Sequence, residues 1–298
     1  MNAPERIAHD VATYYERPAV KSSVWGARVA LYTVLGGMAG AAQAIGALAS
    51  ALLRRPTTIA RNANRIGAAI GAGAGPALLI ADLHTPQRWY NMLRIFRPTS
   101  PMSIGTYVLT TFAGSSLLAA AGVRSAQVPA ALAGVGMATY TPALLAATAT
   151  PLWSSTPRLL AAEFATSAFA TGAAVLSLAE HLGGGDDTDA LDRIALVSVI
   201  AHAAASIAAR REHEREGVER PLGEGRWSAL HKAGIALGIA LPVACHAMNA
   251  ARPSARRSML AAVGIGVGGF LTRWALIGAG NESARSAREY LRLHGGTR

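Results

Sequence analysis

Several residues able to exchange protons or carry charge fall inside long uncharged stretches of this 298-residue chain. Asp82, Glu163, Glu180, His181, His202, His231, His246 and Arg273 each interrupt a run of small and aliphatic residues. Tyr32, Tyr107 and Tyr140 bring phenols into similar runs. In an apolar medium an ionisable side chain costs about 2.5–3.5 kcal/mol on insertion scales, so each one needs a reason. Two chemistries supply one. Carboxylates, imidazoles and phenols can hydrogen-bond a quinone headgroup and exchange its protons. The same groups can instead pair with one another, or with carbonyls freed below Pro76, Pro142 and Pro242. For an isolated Tyr or His, gluing helices is the simpler expectation. For Asp82 and Arg273 both readings stand, because an unpaired charge there requires a partner. Glu163 is the most isolated acid, and a proton relay is one reading of it.

Metal chemistry fits poorly. His231 and His246 lie fifteen positions apart in one apolar run, so they could face two levels of a helix bundle. A haem held by two histidines needs a facing His at each level, and only His202 is central. No haem or metal site is expected. The chain has a single cysteine, Cys245, which forms no internal disulfide and cannot ligate an iron–sulfur cluster alone. Any such cluster must belong to a partner.

The elements that carry these residues follow from composition. The chain is 51% apolar and only 15% charged, against roughly 25% charged residues in an ordinary soluble domain. That excludes a soluble globular enzyme and a disordered chain. Eight apolar stretches reach the length needed to cross a bilayer: residues 24–53, 66–83, 103–122, 128–153, 159–182, 190–209, 227–250 and 259–280. The fold class is therefore all-α, a polytopic integral membrane protein with both termini on one side. Residues 1–23 read as an interfacial segment without the apolar core of a cleavable signal peptide, and 281–298 as a tail. Small residues recur at helical spacing in Gly36-xxx-Gly40, Gly67-xxx-Gly71-xxx-Gly75, Gly234-xxx-Gly238 and Gly264-xxx-Gly268, a pattern for close helix packing. Trp25, Trp89, Trp153, Trp227 and Trp274 fall near helix ends or in loops, as interfacial anchors do. The net charge of +11 comes almost wholly from arginines between the apolar runs, which excludes a nucleic-acid-binding face. Arginines are more numerous on the side of the termini, which by itself favours a cytoplasmic location for them.

The densest chemistry lies at residues 82–105. This segment leaves the second stretch at Asp82 and carries His84, Arg88, Trp89, Tyr90, Arg94 and Arg97. It enters the third stretch through Ser100-Pro101-Met102-Ser103, where Ser100 or Ser103 could cap the helix and Pro101 suits its first turn. Here the chain resembles the NrfD/PsrC family, the quinone-reactive membrane subunits of polysulfide-reductase-type molybdoenzymes. Four patches carry the likeness: Val24-Trp25 with Tyr32 and Leu35-Gly36-Gly37-Met38-Ala39-Gly40; Asp82-Leu83 through Ser100-Pro101-Met102-Ser103-Ile104-Gly105; Tyr140-Thr141-Pro142 through Pro151-Leu152-Trp153, with Pro142 where Gly is more usual; and Gly269-Phe270-Leu271-Thr272-Arg273 followed by Ala279-Gly280.

The resemblance implies two four-helix bundles, 24–153 and 159–280, with a quinol site near the side bearing the N-terminus. Carried over by position, the headgroup pocket would use Tyr32, Asp82 and Tyr140. Some relatives carry His at the position of Tyr32 and Asn at that of Val29, and His84 lies close enough in sequence to substitute. Tyr32 and Tyr140 would bond the headgroup oxygens and Asp82 would exchange a proton. Arg273 would stabilise interior charge, and Glu163 with His202 would carry protons towards the other side. Menaquinone or ubiquinone would be the exchangeable cofactor. The partners would be a ferredoxin-like iron–sulfur subunit, a molybdopterin catalytic subunit and the lipid bilayer. The setting would be a bacterial inner membrane, and the family arrangement puts the termini in the periplasm, against the arginine distribution. Two other classes stay open: a secondary transporter, for which the Pro and Gly breaks speak although the halves show no repeat, and a passive anchor without quinone chemistry.

Overall fold

A computed structural model describes residues 20–185 and 187–286. Most of the N-terminal interfacial segment and residues 287–298 of the expected tail lie outside the described residues. Among the described residues the chain is helical, with no strand. The principal helices are α1 (Ala27–Leu53), α2 (Thr58–Asp82), α3 (Pro101–Ala120), α4 (Arg124–Ala146), α5 (Pro157–Gly183), α6 (Thr188–Glu216), α7 (Gly225–Ala251) and α8 (Ala255–Arg285). Seven are long and apolar enough to cross a membrane. The eighth, α2, reaches that mark together with the 3₁₀ segment Pro86–Leu93, from which it is bent by 113°.

Local chemistry sets the ends. Thr57 caps α2 by accepting a hydrogen bond from the Ala60 amide at 3.0 Å, and Ser100 caps α3 with Pro101 in its first turn. Gly217 closes α6 in the left-handed conformation, at φ 67°. α2 starts at Thr58 rather than 66 because its first turns are amphipathic: Ile59, Ala60 and Ala63 are buried while Arg61 and Arg65 face outward, so the apolar run begins later than the helix. α8 runs from Ala255 to Arg285, beyond 259–280 at both ends, so the first part of the expected tail is helical.

Both α2 and α7 contain a π-helical segment immediately before their internal prolines. Ala69–Ala74 precedes Gly75-Pro76, and Ala236–Ala240 precedes Leu241-Pro242. Proline supplies no N–H to the carbonyl four residues back, and the wider turn redistributes the remaining bonds: the Gly75 amide reaches Ile70 O and the Leu241 amide reaches Ala236 O. α4 breaks instead at Tyr140, and a new helical segment starts at Thr141-Pro142.

α1, α2, α3 and α4 close one ring, each touching the next, and α5, α6, α7 and α8 close a second. α1 and α5 form the seam between the rings, flanked by α4 and α8. With chain entry at Ala27 and exit at Arg285 after eight passes, both ends share one face, called here the terminal face. The first ring encloses Tyr32, Leu109, Phe112 and Met137. Near the terminal face the seam and second ring bury Trp153, Leu160, Phe164 and Ile277; near the opposite face they bury Ile45, Leu176, Leu191 and Val199.

Because lipid tails offer helices no gain from hiding apolar surface, the rings are held by close backbone approach. Gly40 of α1 and Gly134 of α4 lie so near that a methyl group on either would overlap the other's carbonyl oxygen. Gly268 of α8 likewise lies so close to Gly238 of α7 that a methyl group on it would overlap the Gly238 backbone N and Cα. Gly73, by contrast, faces open space. Gly40→Leu should therefore abolish accumulation of monodisperse protein in fluorescence-detected size-exclusion chromatography, while Gly73→Ala should leave the profile and thermal midpoint unchanged.

Candidate functional site

The first ring brings two of the sequence-flagged phenols together. Tyr32 lies in the second turn of α1, and Tyr140 sits at the break in α4. Their hydroxyls form a direct hydrogen bond across the ring. Tyr32 is 2% exposed. The Tyr140 ring lies against Gly105 of α3, where a Cβ would occupy the ring's position, and Gly75 of α2 lies beside the Tyr32 ring. All four helices of the ring thus shape this pair. Leu78, Leu79, Val108 and Met137 pack around it, so two hydroxyls face each other in an otherwise apolar setting, where each needs the other.

Above this pair, towards the terminal face, lies the end of α2. Arg28, one turn before Tyr32 and so about 6 Å along the axis, donates from Nη1 to Ala81 O at 3.0 Å. Asp82 follows directly; it is half-buried, and its carboxylate has no hydrogen-bond or ion-pair partner among the described residues. His84 lies exposed in the bend beyond it. The loop from Pro86 is pinned to α3, since the Tyr107 hydroxyl donates to Leu93 O at 3.1 Å and its ring meets Phe96 edge-on at 5.1 Å. Tyr107 therefore holds the rim. The same loop exposes Trp89, Tyr90, Ile95 and Phe96 beside Arg88, Arg94 and Arg97.

Glu163 and Arg273 lie in the second ring, apart from the tyrosine pair. Arg273 is 5% exposed; it donates from Nη2 to Phe164 O at 3.0 Å, and its guanidinium lies 3.2 Å from the centre of the Phe164 ring. A carbonyl and an aromatic face, rather than a carboxylate, receive this charge. Glu163 is half-buried and accepts a hydrogen bond from Ser206 Oγ of α6 at 2.8 Å. His202, one turn before Ser206, is buried with Nδ1 unpartnered; it borders a small void with Ser167, Gly238, Gly268 and Thr272. Glu163, Ser206, His202 and Arg273 therefore form one polar patch spread over three helices. Among the described residues no three His, Cys, Asp or Glu side chains come close enough to hold a metal ion.

Some polar contacts carry no strong sign in the sequence. Gln43, wholly buried in α1, donates to Asn64 Oδ1 at 2.6 Å; its own Oε1 and the Ser116 hydroxyl stay unpartnered on either side of Gly67. An uncharged amide in an apolar run was the available signal, and it is easily passed over among ionisable groups. Glu180, 1% exposed, accepts from Thr58 Oγ1 and Asn62 Nδ2, each at 2.8 Å, tying α5 to the start of α2 at the opposite face. Trp153, expected as an interfacial anchor, is instead fully buried: its Nε1 donates to Leu276 O at 3.1 Å, and its ring stacks on Trp25. The turn Pro151–Ser154 folds it back into the seam.

Comparison with known proteins gives one family. The model of the family described as polysulphide reductase, NrfD, matches residues 17–283, which spans both rings. No curated protein matches the chain.

The environments of Glu180, buried, and Asp82, half-buried, separate a bonded carboxylate from an unbonded one. Glu180→Ala should lower the thermal midpoint of the purified protein, by an amount equivalent to about 1–3 kcal/mol, because Thr58 and Asn62 lose their acceptor. Asp82→Asn, which breaks no hydrogen bond, should leave that midpoint unchanged when both are followed by thermal denaturation in detergent.

Proposed function

The chain belongs to the polysulphide reductase NrfD family, and from that premise we propose that it is the quinone-reactive membrane subunit of an oxidoreductase complex. In this reading it passes electrons between a quinone and the iron–sulfur subunit of a molybdopterin enzyme. The observation that carries the reading is the Tyr32–Tyr140 hydroxyl pair, shaped by all four helices of the first ring.

The fit to a quinone rests on donor chemistry. A quinone presents carbonyl oxygens that accept hydrogen bonds, and a quinol presents hydroxyls that must lose protons on oxidation. Two phenolic O–H groups in an apolar setting supply donors: one is engaged in their mutual bond and is released when that bond opens, so that both can then turn to ligand oxygens. Asp82, half-buried and without a bonded partner, is free to accept or return a proton at the mouth. Leu78, Leu79 and Val108 exclude water and suit an apolar ring. The chain's own residues thus bind, orient and exchange protons, while the electrons pass to the partner's cluster. Menaquinone and ubiquinone both meet these requirements.

The terminal face supports partner docking. Exposed aromatics at 89, 90 and 96 stand among Arg88, Arg94 and Arg97, a composition suited to a protein interface and unusual for an uncovered loop. We place a ferredoxin-like subunit there, joined to a molybdopterin catalytic subunit. Arginines engaged by that partner would let the termini sit in the periplasm of a bacterial inner membrane despite their positive charge. Glu163, His202 and Arg273 serve in this reading as a proton path and charge balance through the second ring.

In the assembled complex, Tyr140→Phe and Asp82→Asn should each lower quinol turnover by about 10²–10⁴-fold, the range for losing a positioned proton-transfer or hydrogen-bonding group, while co-purification of the other subunits is unchanged. Glu163→Gln should lower proton uptake more than electron transfer. Unchanged turnover in both the Tyr140 and Asp82 variants would remove the proposed site and leave a passive anchor.

A further inference from the structure

A cavity of about 260 Å³ opens at the terminal face of the second ring, where the starts of α1 and α7 meet the end of α8. Its walls include the indoles of Trp25, Trp227 and Trp274, and its rim carries Arg226, Arg285 and Glu282. The tyrosine pair lies in the other ring, so this cavity plays no part in the quinone chemistry proposed above.

The walls are held from behind. Trp25 stacks on the buried Trp153 with ring centres 5.8 Å apart. Asn281 Nδ2 donates to Trp25 O at 2.9 Å, while its Oδ1 accepts from Ser23 Oγ at 2.7 Å. Trp227 lies against Gly278, where any side chain would collide with the indole. Trp274 meets Trp227 edge-on at 6.4 Å and stacks on Phe270 at 5.7 Å. The Arg226 guanidinium lies over the Trp227 ring at 4.4 Å. The rim charges are exposed, and none of the three forms an ion pair among the described residues.

Tryptophan concentrates at the level of the lipid headgroups. There, two guanidinium groups suit a phosphate, and indole faces with a carboxylate suit an ammonium. A purely anionic ligand would leave Glu282 opposed, and a purely cationic one would leave both arginines opposed. A ligand with both charges satisfies all three. The volume falls just below the 300–1,000 Å³ of drug-sized sites, so it suits a headgroup whose acyl chains remain in the bilayer. We propose that this cavity binds the headgroup of a zwitterionic phospholipid, with the phosphate at Arg226 and Arg285 and the ammonium at Glu282 and the tryptophans.

The test is lipid retention by the full chain. The protein is reconstituted into nanodiscs of equal phosphatidylethanolamine and phosphatidylglycerol, extracted in mild detergent and weighed by native mass spectrometry. Phosphatidylethanolamine should be retained in preference, and Arg226→Ala with Arg285→Ala should reduce its retention roughly tenfold. Glu282→Gln should remove the preference between the two lipids while retention itself persists. All three side chains are exposed, and unchanged circular dichroism and elution volume would establish that the variants fold. Tryptophan fluorescence of the wild type gives a second reading, which should shift on adding phosphatidylethanolamine micelles and not on adding phosphatidylglycerol. Equal retention of the two lipids by the wild type, or undiminished retention in the double arginine variant, would overturn the proposal. Displacement of the lipid by soluble O-phosphoethanolamine at matching concentration would overturn the lipid assignment in favour of a free phosphomonoester.

Discussion

In a bilayer, helices gain nothing by hiding apolar surface from one another, because the lipid around them is equally apolar. What holds this chain together is close backbone contact, and that contact is possible only where side chains are nearly absent. Gly40 meets Gly134 across the α1–α4 boundary, Gly238 meets Gly268 across α7–α8, and Gly172 of α5 presses against the backbone of α1 at Met38 and Ala42. The abundance of Ala and Gly in the apolar runs is the material of these seams. The placement of Tyr32 opposite Tyr140 follows from the same contacts, since α1 and α4 must approach at Gly40 and Gly134 for the two hydroxyls to meet.

Close packing also decides how charge is carried. The three ion pairs among the described residues, Arg210–Glu214, Arg215–Glu212 and Arg220–Glu224, all lie near the terminal face on exposed side chains, where such pairs contribute little. Inside the rings, charge is met by neutral dipoles. Arg273 meets the Phe164 carbonyl and ring, Glu180 meets Thr58 and Asn62, and Glu163 meets Ser206. A neutral partner satisfies the hydrogen bonds of the charged group without bringing a second charge into the apolar interior. Asp82 goes further: among the described residues its carboxylate has no bonded partner, at the end of α2 where Arg28 holds the neighbouring Ala81 carbonyl.

The architecture was largely legible in the sequence because the bilayer imposes it. Eight apolar runs gave eight helices in nearly the right places, and the errors fell where polarity and helix part company. α2 begins with amphipathic turns around Arg61 and Arg65, and α8 carries its polar ends past the hydrocarbon. Of the residues singled out by type, Tyr32, Tyr140 and Asp82 gather at one end of the first ring, while Glu163 and Arg273 share a patch in the second. Which groups face one another was not legible, because that depends on helix rotation and on crossings set by glycines far along the chain. The burial of Trp153 was hidden for the same reason: a short turn folds it inward, and no local pattern distinguishes that from an indole at the lipid surface.

The π-helical segment in α2 has a bearing on how that rotation is set. An α-helix advances about 100° per residue, and the wide turn between Ala69 and Ala74 accommodates roughly one residue more than an α-helical turn would. Everything beyond it is displaced around the axis by that angle relative to an unbroken helix. A ruler laid from Gly67 at 3.6 residues per turn therefore points to the neighbour of the residue that actually faces inward near Asp82. The wide turn acts as a phase shifter: it lets one stripe of small residues seal the lower half of α2 while the residues beyond it follow a stripe out of phase with the first, leaving Ala81 exposed and Asp82 half-buried.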